Sequence, residues 1–254
     1  MATVVGIAGS SWARRWPSLV GIALLVLAPY AILESMWTET KYETWRTEDW
    51  ILFALRLFSQ WCAIALLAPL AYDTVAGITR SRSAALRDGL RQLGGALGPA
   101  VAQMLVETLY LGSLFGLVTL SRDFCAGVLV MFVATPVGVA LAFFHARWFV
   151  AVPAAGMEGL GPAEALRRST RLTRGRVGGT TVVWALLTGG TALLLLWVRV
   201  AAVDRVEPSV VPFIVLPVLA ALTALEVALR TAAYHELRRV VEGRDPRTVA
   251  SVFD

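Results

Sequence analysis

The chain has 254 residues, of which 57% are hydrophobic and only 16% charged, with a formal net charge of +5 at pH 7 and a mean hydropathy of +0.67. Soluble domains are about 45–50% apolar and about 25% charged, so this chain has too little charge to cover the surface of an ordinary soluble fold. The composition therefore predicts an integral membrane protein.

Six continuous apolar segments follow along the chain, and each is long enough for a helix of about 20 residues that crosses the hydrocarbon core. Their hydrophobicity is continuous rather than alternating, which favours helices over a β-barrel. We predict an all-α polytopic membrane protein, with one integral membrane domain over residues 1–254 and six transmembrane helices arranged as three hairpins. The predicted spans are approximately 17–37, 51–76, 99–121, 124–153, 179–203 and 210–234.

Basic residues are divided unequally between the two sides of the membrane that these spans define. Fifteen arginines lie on the side of the termini, whereas four basic residues lie on the other side. Because cytoplasmic loops carry the excess of Lys and Arg, both termini are predicted to be cytoplasmic. Trp37 and Trp197 fall at the opposite ends of their spans, as expected for an interfacial aromatic belt. We expect a multi-pass protein of the bacterial cytoplasmic (inner) membrane.

Two connections on the arginine-rich side resemble one another: SAALRDGLRQLGG at 83–95 and AEALRRSTRLTRG at 163–175. Both patterns predict amphipathic helices along the cytoplasmic surface of the membrane, the second beginning at Gly161-Pro162 and ending at Gly175. Glu164 is spaced i, i+4 from an arginine, with which it could form an ion pair. The arginines of both helices are Arg87, Arg91, Arg167, Arg168, Arg171 and Arg174.

These arginines have two possible roles. They could bind anionic lipid headgroups, or a membrane or cytoplasmic protein partner, since each juxtamembrane arginine gains about 1 kcal/mol near an anionic leaflet. Alternatively, they do no more than orient the protein. Nucleic acid is not an expected partner, because membrane topology already accounts for the basic residues.

Three ionisable residues inside the predicted spans are candidates for function, since a charge at the membrane centre costs at least about 2.5–3.5 kcal/mol. Glu107 lies nearly half-way along the third span, and Glu226 and Arg230 are spaced i, i+4 in the last span. They could relay protons or substrate, or they could serve interhelical packing, with Glu226 and Arg230 neutralising one another. Arg147, near the inner end of the fourth span, can extend to the interface and needs no function.

No pattern of catalytic or metal-binding residues is evident in the chain. His145 and His235 are not in metal-ligand spacing with acids or cysteines, and GxSxG, HExxH and phosphate-cradling glycine loops are missing. We therefore predict no enzymatic activity, no cofactor and no bound metal. An intramembrane lipid enzyme is the weakest alternative.

Residues 142–176 carry a more specific pattern, AFFHARWFVAVPAAGMEGLGPAEALRRSTRLTRGR. Arg147-Trp148, Pro153, Gly161-Pro162 and the arginine helix resemble the signature of the glycerophosphoryl diester phosphodiesterase membrane domain family and of related six-span bacterial membrane proteins. The tail, which includes Tyr234 and the final Phe-Asp, is similar to the family's ending. The resemblance implies six helices and a membrane location. It does not imply phosphodiesterase activity, which in fused relatives belongs to a separate soluble barrel without a counterpart in these residues.

Our leading functional prediction is a non-enzymatic accessory or scaffold protein, which engages anionic lipids or a cytoplasmic partner through its basic helices. The alternative is a transporter or channel for a small or lipidic substrate, with Glu107, Glu226 and Arg230 near the pathway.

Overall fold

The computed structural model describes residues 2–37, 47–120, 124–203 and 205–242, and this part of the chain is all-helical, as predicted. The predicted outer loop around Trp45 and the tail motif beyond residue 242 lie outside the described residues. The helices are α1 (Ala2–Trp37), α2 (Thr47–Ala76), α3 (Arg82–Leu120), α4 (Phe124–Trp148), α5 (Ala151–Glu158), α6 (Pro162–Leu172), α7 (Val177–Val203), a 3-10 turn (Pro208–Val210) and α8 (Val211–Glu242).

Within the described residues, five helical segments are long and apolar enough to cross a membrane. Each of them overlaps one predicted span, so the prediction of a helical protein with several such helices is confirmed in this coarser form. The third predicted span, 99–121, coincides with the second half of α3 except for its last residue, which lies outside the described part. The five segments are Arg15–Met36, Ile51–Ala76, Pro136–Glu158, Val177–Leu195 and Pro208–Glu242.

The prediction of a separate surface helix at 83–95 is wrong. These residues form the first turns of α3, a single helix of 39 residues. The helix packs closely on α2, because a Cβ placed on Gly89 would lie only 2.4 Å from the backbone oxygen of Leu66. Leu90 is 61% exposed, whereas Ala85 is fully buried. Packing against α2 therefore determines which side of this segment is buried.

The core has two parts, and the candidate site lies between them. In the first part, α1, α2 and α8 pack through residues such as Leu27, Leu67 and Leu219, together with alanines of α8 that let the backbones approach closely. The second part surrounds Phe149 and Tyr234 and joins α2, α4, α5, α7 and α8. Arg230 and His145 are fully buried where these two parts meet.

The fourth predicted span, 124–153, is interrupted rather than continuous. α4 ends at Trp148 and α5 begins at Ala151, so that Phe149 and Val150 separate the two helices. Pro153 accounts for the position of this break, because it has no N–H to donate to the carbonyl four residues earlier and its ring would clash with that carbonyl. The carbonyl in question is that of Phe149.

Candidate functional site: a buried arginine cluster and an arginine-rich end

Arg230 of α8 is only 1% exposed and is surrounded by acceptors from three other parts of the chain. Its Nε donates to Glu226 Oε1 at 2.8 Å, and its Nη1 donates to Gln103 Oε1 at 2.9 Å and to the carbonyl of Phe149 at 2.8 Å. Glu226 lies one helical turn before Arg230, so the ion pair that their spacing predicts is present, with Nη2 at 2.7 Å from Oε1. A charge that would be costly in isolation is thus paired and hydrogen-bonded.

His145 and two aromatic rings complete the surroundings of this guanidinium. The Nη2 of Arg230 lies 3.2 Å from His145 Nε2. Because arginine only donates hydrogen bonds, Nε2 must accept, and we infer that the neutral ring carries its proton on Nδ1. The guanidinium carbon also lies 4.6 Å from the ring centroids of both Trp61 and Phe149. Such cation–π contacts reach about 2 kcal/mol when desolvated.

The cluster brings together all three intramembrane residues that the sequence analysis selected. Glu226 Oε2 accepts a hydrogen bond of 2.9 Å from Gln60 Nε2 on α2. Glu107 lies one helical turn beyond Gln103 on α3. Four helices, α2, α3, α4 and α8, therefore contribute side chains to one buried polar site, which we call the buried arginine cluster (Gln60, Gln103, Glu107, His145, Glu226 and Arg230).

Side chains also satisfy the carbonyl groups that the break between α4 and α5 exposes. The carbonyl of Arg147 accepts from Ser169 Oγ at 2.8 Å and from Thr173 Oγ1 at 3.2 Å. The carbonyl of Trp148 accepts from the amide of Gln103, and that of Phe149 from Arg230. These hydrogen bonds satisfy backbone acceptors that would otherwise be buried without a partner. The break is therefore fixed by α3, α6 and α8.

One face of α6 is docked on the protein and the other carries arginines. The helix begins at Pro162 after an extended Gly161, as predicted, and the turn after it passes through Gly175 at φ +78°. Ala165, Ser169 and Leu172 are buried. One face of the helix is therefore packed on the protein, and its position along the membrane surface stays a prediction. Exposed on the opposite face are Arg167 and Arg171, four residues apart, and Arg174 is exposed in the turn that follows the helix.

Arg168 is held inside the protein rather than on that exposed face. Its Nε and Nη2 donate to Glu158 at 2.9 and 2.8 Å, and its Nη1 pairs with Glu242 of α8. Arg168 therefore pairs with Glu158 of α5 and Glu242 of α8, and not with Glu164 as its spacing had predicted. Burial alone would lower the pKa of Arg168, but the hydrogen bonds to Glu242 and Glu158 raise it above its usual value. Arg168 therefore fastens α6 to α5 and α8.

Arg87 and Arg91 are exposed on the first half of α3. This part of the helix meets the start of α6, because a Cβ on Gly98 would lie 2.4 Å from the ring of Pro162. Both arginine segments therefore lie at the same end of the bundle, together with Glu242 at the end of α8. We call this the arginine-rich end, defined by the first half of α3, by α6 and by the last turns of α8.

Sequence reasoning identified Glu226, Arg230 and Glu107 but missed Gln60, Gln103 and His145 as their partners. A signal was present, because both glutamines are polar residues within predicted apolar spans. Which helices would meet, however, could not be read from spacing.

Among the described residues, no group of three or more His, Cys, Asp or Glu side chains could hold a metal ion. The resemblance of residues 142–176 to the glycerophosphoryl diester phosphodiesterase membrane domain stays a prediction from those residues. No family model, curated protein or solved structure matches the chain.

Proposed function

We propose that this chain is a non-enzymatic accessory or scaffold protein of the bacterial inner membrane, with six spans and cytoplasmic termini, and that its arginine-rich end engages anionic lipid headgroups. This proposal rests on the outward face of α6. Its inward face is buried and hydrogen-bonded, so the orientation of the helix is fixed, and Arg167 and Arg171 on the outward face are exposed, as is Arg174 just after the helix.

The charge on this face is available for a ligand. Arg167, Arg171 and Arg174 have no ion-pair partner in the part of the chain that the structure describes, in contrast to Arg168, Arg80 and Arg230. At about 1 kcal/mol for each arginine near an anionic leaflet, three of them would contribute about 3 kcal/mol. This supports a role beyond orientation, for which fewer charges would suffice.

The level of α6 relative to the membrane also supports lipid headgroups as the ligand. α4 has 25 residues, enough to cross the hydrocarbon core, and it ends with Arg147 and Trp148, which are residue types typical of the interface. Ser169 and Thr173 bind the carbonyl of Arg147, so α6 meets α4 at this end.

The test is lipid retention by a variant in which Arg167, Arg171 and Arg174 are all replaced by Gln. We expect native mass spectrometry of protein released from mixed nanodiscs to show fewer retained phosphatidylglycerol molecules than for the wild type, and unchanged retention of phosphatidylcholine. Thermal unfolding should be unchanged, because the docked face of α6 is intact. Arg168 is left in place, since its removal would loosen the helix.

Two controls make this experiment specific. Replacing the same three arginines by Lys preserves the charge and should preserve most of the retention, and Arg205→Gln removes an exposed arginine from the loop between α7 and α8 without effect. Equal retention of phosphatidylglycerol by the wild type and the Gln variant would refute the proposal. A stoichiometric protein that co-purifies only with the wild type would indicate a protein partner instead.

Transport of a small or lipidic substrate is the second candidate, and the buried arginine cluster favours it. Broken helices and intramembrane charges near the bilayer interior are features of transporter binding sites. On this hypothesis, Glu107→Gln is expected to change substrate uptake or proton flux in proteoliposomes, because it removes an ionisable carboxylate from the third predicted span. Normal flux in the variant, or no flux in either protein, would count against transport.

A further inference from the structure

We propose that Arg147 anchors the phosphate of one anionic glycerophospholipid at the junction of α4 and α6. The inference rests on the proposed function, because it assigns one defined lipid site next to the arginine-rich end. It goes further by placing the anchor on a residue that the topology alone would leave without a role.

The first argument is the unbalanced charge of Arg147. Its guanidinium carbon lies 5.1 Å from the ring centroid of Phe143, and it is only partly exposed. Its Nε is buried without a hydrogen-bond acceptor, and no carboxylate pairs with it in the described part of the chain. A partly buried guanidinium at the end of a membrane helix is costly without an anion. An anion from the membrane would supply the missing partner.

The second argument is the position of α6. Ser169 and Thr173 both donate to the carbonyl of Arg147, at 2.8 and 3.2 Å, so the end of α6 is fastened to the residue that carries the unpaired guanidinium. Arg171 lies two residues from each of them and so on the opposite face of α6. The guanidinium of Arg147 is therefore the group that would bind the phosphate, and it can do so in a bidentate manner.

The third argument is the apolar surface of α4 directly below this charge. Val139, Phe143 and Phe144 are 65%, 43% and 47% exposed, and Phe144 packs on Trp148 with ring centroids 5.8 Å apart. Exposed aromatic residues next to a cationic residue are typical of the membrane interface. The surface offers contacts to acyl chains, so the ligand that fits it has both an anionic phosphate and hydrocarbon chains.

The experiment compares lipid retention in Arg147→Gln with that in Arg205→Gln, which removes the same charge from the exposed loop between α7 and α8. Protein purified from phosphatidylglycerol nanodiscs is analysed by native mass spectrometry during stepwise collisional activation. We expect the wild type and Arg205→Gln to retain one last lipid that Arg147→Gln loses, with an affinity about tenfold lower in the latter. Arg147→Lys should be intermediate, because lysine cannot bind bidentately.

Two further measurements separate a lipid from free phosphate. Phe144→Ala keeps every charge and the Phe143 ring beside Arg147 but removes an acyl-chain contact, and we expect it to weaken binding of the last lipid. Inorganic phosphate should not displace that lipid, because free phosphate makes no apolar contacts with α4. Displacement by phosphate, or full retention in Phe144→Ala, would overturn the lipid assignment in favour of a simple anion site.

The outcomes for this site and for the proposed function are distinguishable. If the α6 triple variant loses phosphatidylglycerol while Arg147→Gln keeps its last lipid, the proposed role of the arginine-rich end is supported and the Arg147 site is overturned. If Arg147→Gln alone loses the lipid, the site stands and the broader surface is refuted. Should Arg147→Gln fail to accumulate, Arg147→Lys decides: weaker retention than the wild type supports the site, and equal retention overturns it.

Discussion

Replacing Arg230 by Leu is expected to destabilise the protein by about 3–5 kcal/mol, the range found when one partner of a buried ion pair is removed. The variant would leave Glu226 charged in the interior and would remove the hydrogen-bond donor of the Phe149 carbonyl. It would also leave the side-chain oxygen of Gln103 without its donor. The measurement is thermal unfolding in mild detergent, monitored by far-UV circular dichroism.

A double substitution is the control for this prediction. Replacing Glu226 and Arg230 together by Leu removes both charges, and replacing a buried ion pair by apolar residues is often neutral. We therefore expect the double variant to unfold at a higher temperature than Arg230→Leu alone, although the Phe149 carbonyl still lacks its donor. A double variant that is less stable than the single one would show that Glu226 stabilises the fold independently of Arg230.

Gly89→Ala is expected to destabilise the packing of α2 against α3 by at least about 1–3 kcal/mol, the usual effect of overpacking a close contact. The new Cβ would lie 2.4 Å from the backbone oxygen of Leu66, and a backbone atom cannot move aside without moving its helix. The measurement is the midpoint of thermal unfolding in detergent, with Gly89→Val expected to have a larger effect.

Gly94→Ala, five residues further along the same helix, is the matched control. A Cβ at Gly94 meets nothing within 4 Å, and the residue is exposed. Because alanine has the higher helix propensity, we expect this variant to be as stable as the wild type or more stable by about 0.5–1 kcal/mol. Equal effects of the two substitutions would contradict the close approach of α2 and α3 at Gly89.

Properties that depend on neighbouring residues were predictable from the sequence. Long apolar runs indicated the spanning helices, Gly161-Pro162 and Gly175 indicated the limits of α6, and the i, i+4 spacing of Glu226 and Arg230 indicated their ion pair. Pro153 was a local signal from which the break at Phe149 could also have been predicted.

Properties that depend on which helices meet were not predictable. Arg168 had Glu164 at a favourable spacing, yet it pairs with Glu158 and with Glu242 of α8. The residues at 83–95 had the pattern of a separate amphipathic helix, but contact with α2 makes them part of α3. In the buried arginine cluster, the partners of Arg230 come from α3 and α4 and from the break, at sequence separations that no periodic pattern encodes.

The hydrogen bond between Arg230 and the carbonyl of Phe149 has a consequence for the biogenesis of the protein. The two residues are 81 positions apart, and Phe149 is synthesised first. When the ribosome has released α4 and α5, the donor that caps the break between them has not yet been translated. The hydrogen bonding of the break is therefore completed late, after α8 has been made, and a chain that is truncated before α8 would leave the Phe149 carbonyl without its donor.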